Sequence, residues 1–497
     1  MTMERRGTPQ TALRVAGVLL AGWLAGCTVG PNYKKPAATV PAKWDVQEPF
    51  REAAPKDAVP KTTWWTEYHN EELDALENDL LAANQTLKLS LAHYQQARAS
   101  AAVQNATLFP TLTTTPSAAR QRYSGTRSTG STFPLAGPVT QGSWELPFTV
   151  SYEVDLVGQR RRTLEAAQAS LQANAADFEN VRLILTAELA ADYFSLRQLD
   201  MQIALLVRTV DALQKGLDLV NSRHQGGVAS GLDVAQEETL LNATRTQATL
   251  LKQQRKQFED AIAVLTGRAA PDFHLPAKEL LPEPPNLDTS LPSDLLERRP
   301  DIAEAEREMA VANAQIGIAK AAYYPSLVLY WQGGWNSQQI SQLFNAESGF
   351  WAIGANLAED IFTGGARRAQ VKYSLAGYDA SVASYRGTVL GAFQEVQDNI
   401  TGLEVLSTAR QSQAEAVAAA RRQLDIANSR YVCGLVNYLD VVSAQQNLLS
   451  NEQEAAIIQG QRLVTSVLLV KALGGGWDAA SLSAVQEKPR LKDVVAP

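Results

Sequence analysis

The turn Arg223-His-Gln-Gly-Gly-Val-Ala-Ser-Gly-Leu-Asp233 returns as Arg430-Tyr-Val-Cys-Gly-Leu-Val-Asn-Tyr-Leu-Asp440, at an offset of 207 residues (223 to 430, 233 to 440). Further on, Leu265-Thr-Gly267 reads against Leu473-Gly-Gly475 at an offset of 208 (265 to 473). A period this long is not a solenoid repeat; it marks two fused copies of one domain-sized unit. Each copy must fold as a hairpin about its turn.

Proline sets the length of the arms. None occurs between Phe148 and Ala270, nor between Ser326 and Lys488. Proline removes a backbone donor and clashes with the preceding turn, so these two stretches can hold long uninterrupted helix. In the first, Leu171, Phe178, Val181, Leu185, Leu189, Tyr193, Leu196, Leu199, Ile203, Leu206, Val210, Leu213, Leu217 and Val220 recur at helical spacing, a sustained stripe of coiled-coil character. A helix from Gln159 to about His224 would be on the order of 100 Å long. Gly226 and Gly227 end it, and a second run follows from Leu232 to Leu265. The other copy repeats this from Gly364 to Tyr431, turns at Gly434, and continues from Leu439 to Leu473.

A strand pattern precedes each long helix. Trp144, Leu146, Phe148, Val150, Tyr152, Val154 and Leu156 alternate with polar residues and Pro147. Offset by 205, Trp351, Ile353, Ala355, Leu357 and Ile361 follow the same phase, with Glu359 as an exception. Membrane barrel strands alternate in this way, and so do soluble half-buried strands. Helices rich in alanine, 80–108 and 301–323, lead into the upstream strands at Phe109-Pro110 and Tyr324-Pro325. The loops at 124–142 and 336–349, rich in Gly, Ser and Gln, read as external tips.

The N-terminus has Arg5, Arg6 and Arg14, an apolar run over 15–24, and Leu24-Ala25-Gly26-Cys27. This is the form of a secretory signal, and the Leu-Ala-Gly-Cys box resembles that of bacterial lipoproteins, in which the cysteine is acylated. An ordinary exported protein with an incidental cysteine is the alternative. Lipoproteins kept in the inner membrane typically carry Asp after the cysteine; Thr28 therefore favours the outer membrane. With Cys27 lipidated, Cys433 has no partner within the chain, and no internal disulfide frames the fold.

The organisation expected is a signal peptide at 1–26 and a lipid-anchored extended leader at 27–67. The first repeat occupies 68–267, with strands at about 111–122 and 143–156 and a tip at about 224–231. A proline-rich linker at 268–296 leads to the second repeat at 297–475, with strands at about 326–335 and 350–362 and a tip at about 431–438. The tail, 476–497, has weak pattern and reads as surface-draped or disordered.

No catalytic constellation emerges. The histidines His69, His93, His224 and His274 are scattered, and no metalloprotease or phosphate-loop spacing occurs. Glu297-Arg298-Arg299-Pro300-Asp301 could suggest an anion site, but its plainer reading is a helix start with proline and an acid in the first turn. An excess of 52 acidic over 45 basic residues, without an aromatic-basic cluster, argues against nucleic acid. No apolar run after Leu24 could cross a bilayer as a helix, so any crossing must use strands.

Together, Cys27-Thr-Val-Gly-Pro-Asn-Tyr33, Arg298-Arg-Pro-Asp-Ile302, Ala321-Ala-Tyr-Tyr-Pro-Ser326 and the paired turns resemble the outer membrane factors, the TolC-like export ducts, in their OprM/NodT-type lipoprotein branch. The resemblance covers almost the whole mature chain. It implies a mainly α fold with a small β part: two long helical hairpins and four membrane strands per chain. Three chains would close a twelve-stranded barrel continued by a helical tunnel through the periplasm. Four strands cannot close a barrel alone, since the smallest known have eight.

The resemblance further implies a passive exit duct for drugs or toxic compounds, with no cofactor beyond a lipid on Cys27. Its partners would be a periplasmic adaptor and an inner-membrane pump of the RND type. Adaptor docking falls on the tips, at Arg223, Gly227, Val228, Arg430, Gly434 and Leu435, and the periplasmic constriction on Leu232, Asp233, Leu439 and Asp440. The chain departs from members that carry an acid where it has Ser443. The rival reading is a pore-less periplasmic coiled-coil lipoprotein, which would lack the paired alternating strands; an enzyme is a distant third.

Overall fold

A computed structural model describes residues 28–37, 63–125, 138–279, 281–285 and 298–477. The segment expected as a signal peptide, 1–26, and Cys27 lie outside these residues. A 3-10 turn, Trp64–Tyr68, opens the folded part and is followed by α1 (Glu71–Ala83) and α2 (Gln85–Ala106). Strand β1 comes in two segments, Thr111–Thr114 and Ser117–Tyr123, ahead of β2 (Val139–Val154). The first hairpin is α3 (Gln159–Gln225) and α4 (Gly231–Leu265). The second copy has α5 (Pro300–Ala321), β3 (Ser326–Ser337), β4 (Gly349–Ala358), α6 (Ala366–Val432) and α7 (Tyr438–Ala472).

The four hairpin helices keep one offset throughout, because both ends of α3 and α6, and both ends of α4 and α7, differ by 207 residues (159 to 366, 225 to 432, 231 to 438, 265 to 472). This corrects the offset of 208 expected at the second helix ends: Gly267 corresponds to Gly474, not Gly475. Both glycines hold positive φ, at +70° and +90°. They close the same backbone motif, Arg268 N donating to Ala263 O at 2.8 Å and Gly475 N to Val470 O at 3.0 Å.

The alanine-rich segment expected as one helix over 80–108 is two. Asn84 breaks it: its side chain accepts from Leu87 N at 2.9 Å, capping α2, and donates to the last carbonyl of α4, Leu265 O, at 2.8 Å. The second copy has the same junction with a different residue. Arg299, at the start of α5, donates to Ala472 O at the end of α7 at 3.1 Å. A guanidinium suits a helix C-terminus, where the backbone dipoles leave negative charge. The Arg298-Arg-Pro-Asp run is thus a helix start with Pro300 in its first turn. Arg299 is fully engaged by Asp301, Glu395 and Ala472.

Through these junctions α4 continues end to end into α2, and α7 into α5. Four columns result, in the lateral order α4/α2, α3, α7/α5, α6. The strands follow that order, β1-β2-β3-β4, all antiparallel. Each strand therefore stands at the end of its own helical column.

The core lies where columns meet. At mid-height Leu189, Tyr193, Phe194 and Leu196 of α3 pack with Leu73 and Leu80 of α1, Ile262 of α4 and Val467 of α7. Trp64, Trp65 and Tyr68 are buried in the same cluster, so the extended leader expected to run to residue 67 ends before this turn. Near the tips Leu213, Leu217 and Val220 meet Leu240, Tyr438 and Val441. The tail also starts later than expected, because Trp477 is buried against Ala175, Ala176 and Ala303.

Candidate functional site

The sheet has two unlike faces. Cross-strand partners share a face, and the register aligns Leu112 with Val150, Val150 with Trp331, and Trp331 with Ile353. Tyr152 aligns with Leu329 and Ala355, and Leu146 with Trp335. On the opposite face Glu145 meets Asn336, Thr149 meets Gln332, and Glu153 meets Val328, itself aligned with Asn356. One face is thus apolar and aromatic across β2, β3 and β4 and joined by Leu112 and Ala118 of β1, with Arg120 and Arg122 on it toward the loop end of β1. On this face Trp351 and Ile353 are 75% and 73% exposed, large side chains that a water-facing strand would not carry side by side.

Pairing breaks between the segments of β1, at Thr115 and Pro116, beside Pro147 of β2; both prolines lack the donor a ladder needs. Strand β4 ends at Ala358, so Ile361 and Glu359, expected inside it, lie beyond. Both lateral edges, β1 and β4, end the sheet with open ladder groups.

At the other end of the columns the two tips have the same build. Val228 N donates to Arg223 O and Leu435 N to Arg430 O, both at 2.9 Å. Gly227 and Gly434 between them hold φ of +75° and +70°. Only glycine takes that geometry without strain, which is why the Gly-Val and Gly-Leu pairs recur. Val228 and Leu435 are each 69% exposed.

Of the other tip residues, Arg430 is exposed, while the Arg223 guanidinium stacks over the Tyr431 ring at 4.7 Å. Tyr431 in turn packs on Tyr438 at 5.0 Å, so the tips hold each other within one chain. The expected constriction residues divide similarly. Leu232, Leu439 and Asp440 are exposed, pointing away from their own hairpins. The Asp233 carboxylate accepts from Ser230 N at 2.8 Å as half of a capping box. Its charge is used at the helix start.

Two constellations escaped the sequence reading. The first is a charged belt at mid-height: Arg197 donates to Asp200 at 2.6 Å, to Glu72 at 2.5 Å and to Pro276 O at 2.7 Å, and Arg255 donates to Asp200 at 2.5 Å. It ties the segment after α4 to three helices. Burial alone would raise Glu72, but hydrogen bonds from Lys278 and Tyr193 and the charge of Arg197 hold it below the usual carboxylate range. The available signal was a pair of charges, Arg197 and Asp200, in phase with the apolar stripe through Leu196 and Leu199.

The second is a clamp on the leader. Val29 N donates to Val157 O at 2.9 Å, at the junction of β2 and α3. Buried Arg162 donates to Asn32 at 2.8 Å, and Asn313 donates to Pro31 O at 3.0 Å. Gly30, at φ +104°, lies so close to Gly317 that a Cβ on it would stand 2.5 Å from the Gly317 Cα. The spacing Gly30-Pro31-Asn32 was the visible trace of it.

Among the described residues no group of His, Cys, Asp and Glu could hold a metal ion, and no helix is long and apolar enough to cross a membrane. An apolar-faced sheet on helical columns defines an outer membrane channel of the kind in which a trimeric β-barrel is continued by a periplasmic helical tunnel. Known proteins share the sequence and the shape. The probable efflux pump outer membrane protein SepC of Pseudomonas putida is 31% identical over 471 residues, 93% of this chain and 97% of that one. Outer membrane protein OprJ of Pseudomonas aeruginosa is 31% identical over 477 residues, 94% and 96% of the two chains. The outer-membrane channel OprN superposes with a TM-score of 0.82 at 27% identity, over 91% of this chain and all of that one. The open-state MtrE channel of Neisseria gonorrhoeae gives 0.77 at 26%, over 91% and 99%. Residues 76–268 and 291–475 match the outer membrane efflux protein family, and the chain belongs to it. It is an outer membrane efflux channel, the exit duct of an export system.

Proposed function

We propose that three copies of this chain, each lipidated at Cys27, form a passive, non-enzymatic duct. Their tips dock on a periplasmic adaptor, which is coupled to an inner-membrane pump of the RND type. The observation that carries the assembly is the four-stranded sheet with one apolar face and two open edges. Four strands cannot close, and pairing β4 of one copy with β1 of the next removes every edge. Drugs and other toxic small molecules are the cargo this reading assigns, in keeping with relatives named for antibiotic, toluene and solvent efflux. Detergent-solubilised protein should have about three times the mass of the processed chain by light scattering. A stable species with the mass of a single chain would refute the duct.

The clamp supports lipidation of Cys27. Thr28 is held against Gly158, at the point where strand gives way to helix, so the described part of the leader starts at the foot of the sheet. Metabolic labelling with palmitate should mark the wild-type chain and leave Cys27→Ser unlabelled; equal labelling of both would refute the anchor. In the same reading, exposed Leu232, Leu439 and Asp440 form the periplasmic constriction, with Asp233 supporting it through its cap. Val228 and Leu435, with Arg430 beside them, provide the docking contacts, and Arg223 joins the two tips.

A further inference from the structure

The loop between β3 and β4, residues 338–348, carries large apolar side chains at the outer rim of the sheet. Phe344 is 71% exposed and Ile340 60% exposed. The loop is nevertheless ordered by its own bonds: two 3-10 turns, a buried Leu343, and Ser348 Oγ donating to Gln342 O at 2.7 Å. Phe344 packs edge-on against Trp335, ring centroids 5.7 Å apart.

Trp335 is paired with Leu146 and so belongs to the apolar face of the sheet, as do Trp144 and Trp351 near the same rim. Contact with Trp335 therefore puts Phe344 on the outside of the barrel wall, in continuity with the lipid-facing band. Aromatic rings are favoured at the boundary between acyl chains and headgroups, where an apolar body and a wet rim meet.

We propose that this loop is a membrane-surface anchor, with Phe344 and Ile340 inserted among the outer-leaflet lipids at the headgroup boundary. The loop is thereby drawn outward, away from the mouth of the duct. The inference rests on the barrel reading above, and its test separates the two. A bimane fluorophore is attached at Phe344→Cys in a Cys433→Ser background, and the trimer is reconstituted in phosphatidylcholine vesicles. Companion labels are placed at Ile353→Cys on the apolar face and at exposed Glu347→Cys in the loop. Lipids carrying a nitroxide near the headgroup should quench the Phe344 label about twofold more than the Glu347 label, as expected for a ring at the interface. Quenching of the Phe344 label by aqueous iodide alone, or by neither agent, overturns the anchor while a lipid-quenched Ile353 label upholds the barrel. An Ile353 label that lipid does not quench overturns the barrel reading, and the anchor with it.

Discussion

Leu435→Asp is expected to abolish efflux while leaving the channel assembled. Leu435 is 69% exposed, and its backbone N–H donates to Arg430 O, a bond that the substitution retains. An acid beside a helix C-terminus costs about 0.3–1 kcal/mol, too little to disturb a large trimer. Buried against an apolar adaptor surface, the same charge would cost on the order of several kcal/mol, a loss of more than a hundredfold in affinity. Val228→Asp tests the other tip in the same way. Membrane fractions would be assayed for trimer, and cells for accumulation of a pump substrate. Wild-type efflux from both variants would show that the tips are not the docking surface.

The charged belt should dominate stability at mid-height. Arg197→Ala leaves buried Asp200 with one guanidinium instead of two and strips Glu72 of one of its two cationic partners, a change expected to cost about 3–5 kcal/mol. It should appear as a lowered unfolding temperature of the detergent-solubilised channel at fixed scan rate. Replacing the pair together, as Arg197→Met with Asp200→Leu, should recover part of the loss, because the buried Asp200 carboxylate goes with its partner while Arg255 keeps Glu259 and Glu72 keeps Lys278. An unchanged transition for Arg197→Ala would show that the belt is not stabilising. The pH dependence has a definite sign. Hydrogen bonds and cations hold Glu72 and Glu259 below the usual carboxylate range against the upward pull of burial. Their contribution is thus complete above the unfolded carboxylate pKa of about 4.3 and is lost as the pH falls through their lower folded values.

The long helices were legible because two signals agreed: an apolar stripe at helical spacing and proline-free stretches bounded by glycine turns. The strands were legible through their alternation, and duplication made each half a check on the other. What escaped depended on contacts between segments far apart in the chain. Nothing local distinguishes Asn84 from an asparagine inside a helix; its role as a break comes from the α4 terminus, 181 residues away, that its side chain meets. Trp64 and Tyr68 follow a proline-rich leader and looked continuous with it, yet their burial is decided by α3 and α7. At the tips, Arg223 and Asp233 were assigned through the resemblance and the paired turns, which could not tell a side chain turned toward a partner from one spent on its own chain.

The end-to-end junctions give the wall two kinds of column. Helices α3 and α6 run 67 residues without interruption from tip to membrane, whereas α4/α2 and α7/α5 are each spliced at mid-height through a side chain on a helix terminus, Asn84 on Leu265 and Arg299 on Ala472. A continuous helix resists bending along its whole length; a splice made of one or two hydrogen bonds can pivot. Compliance in this wall is therefore concentrated in a single ring at the level of the splices. Alternate staves can swing below it while the others stay rigid, and the membrane end need not deform when the periplasmic end moves.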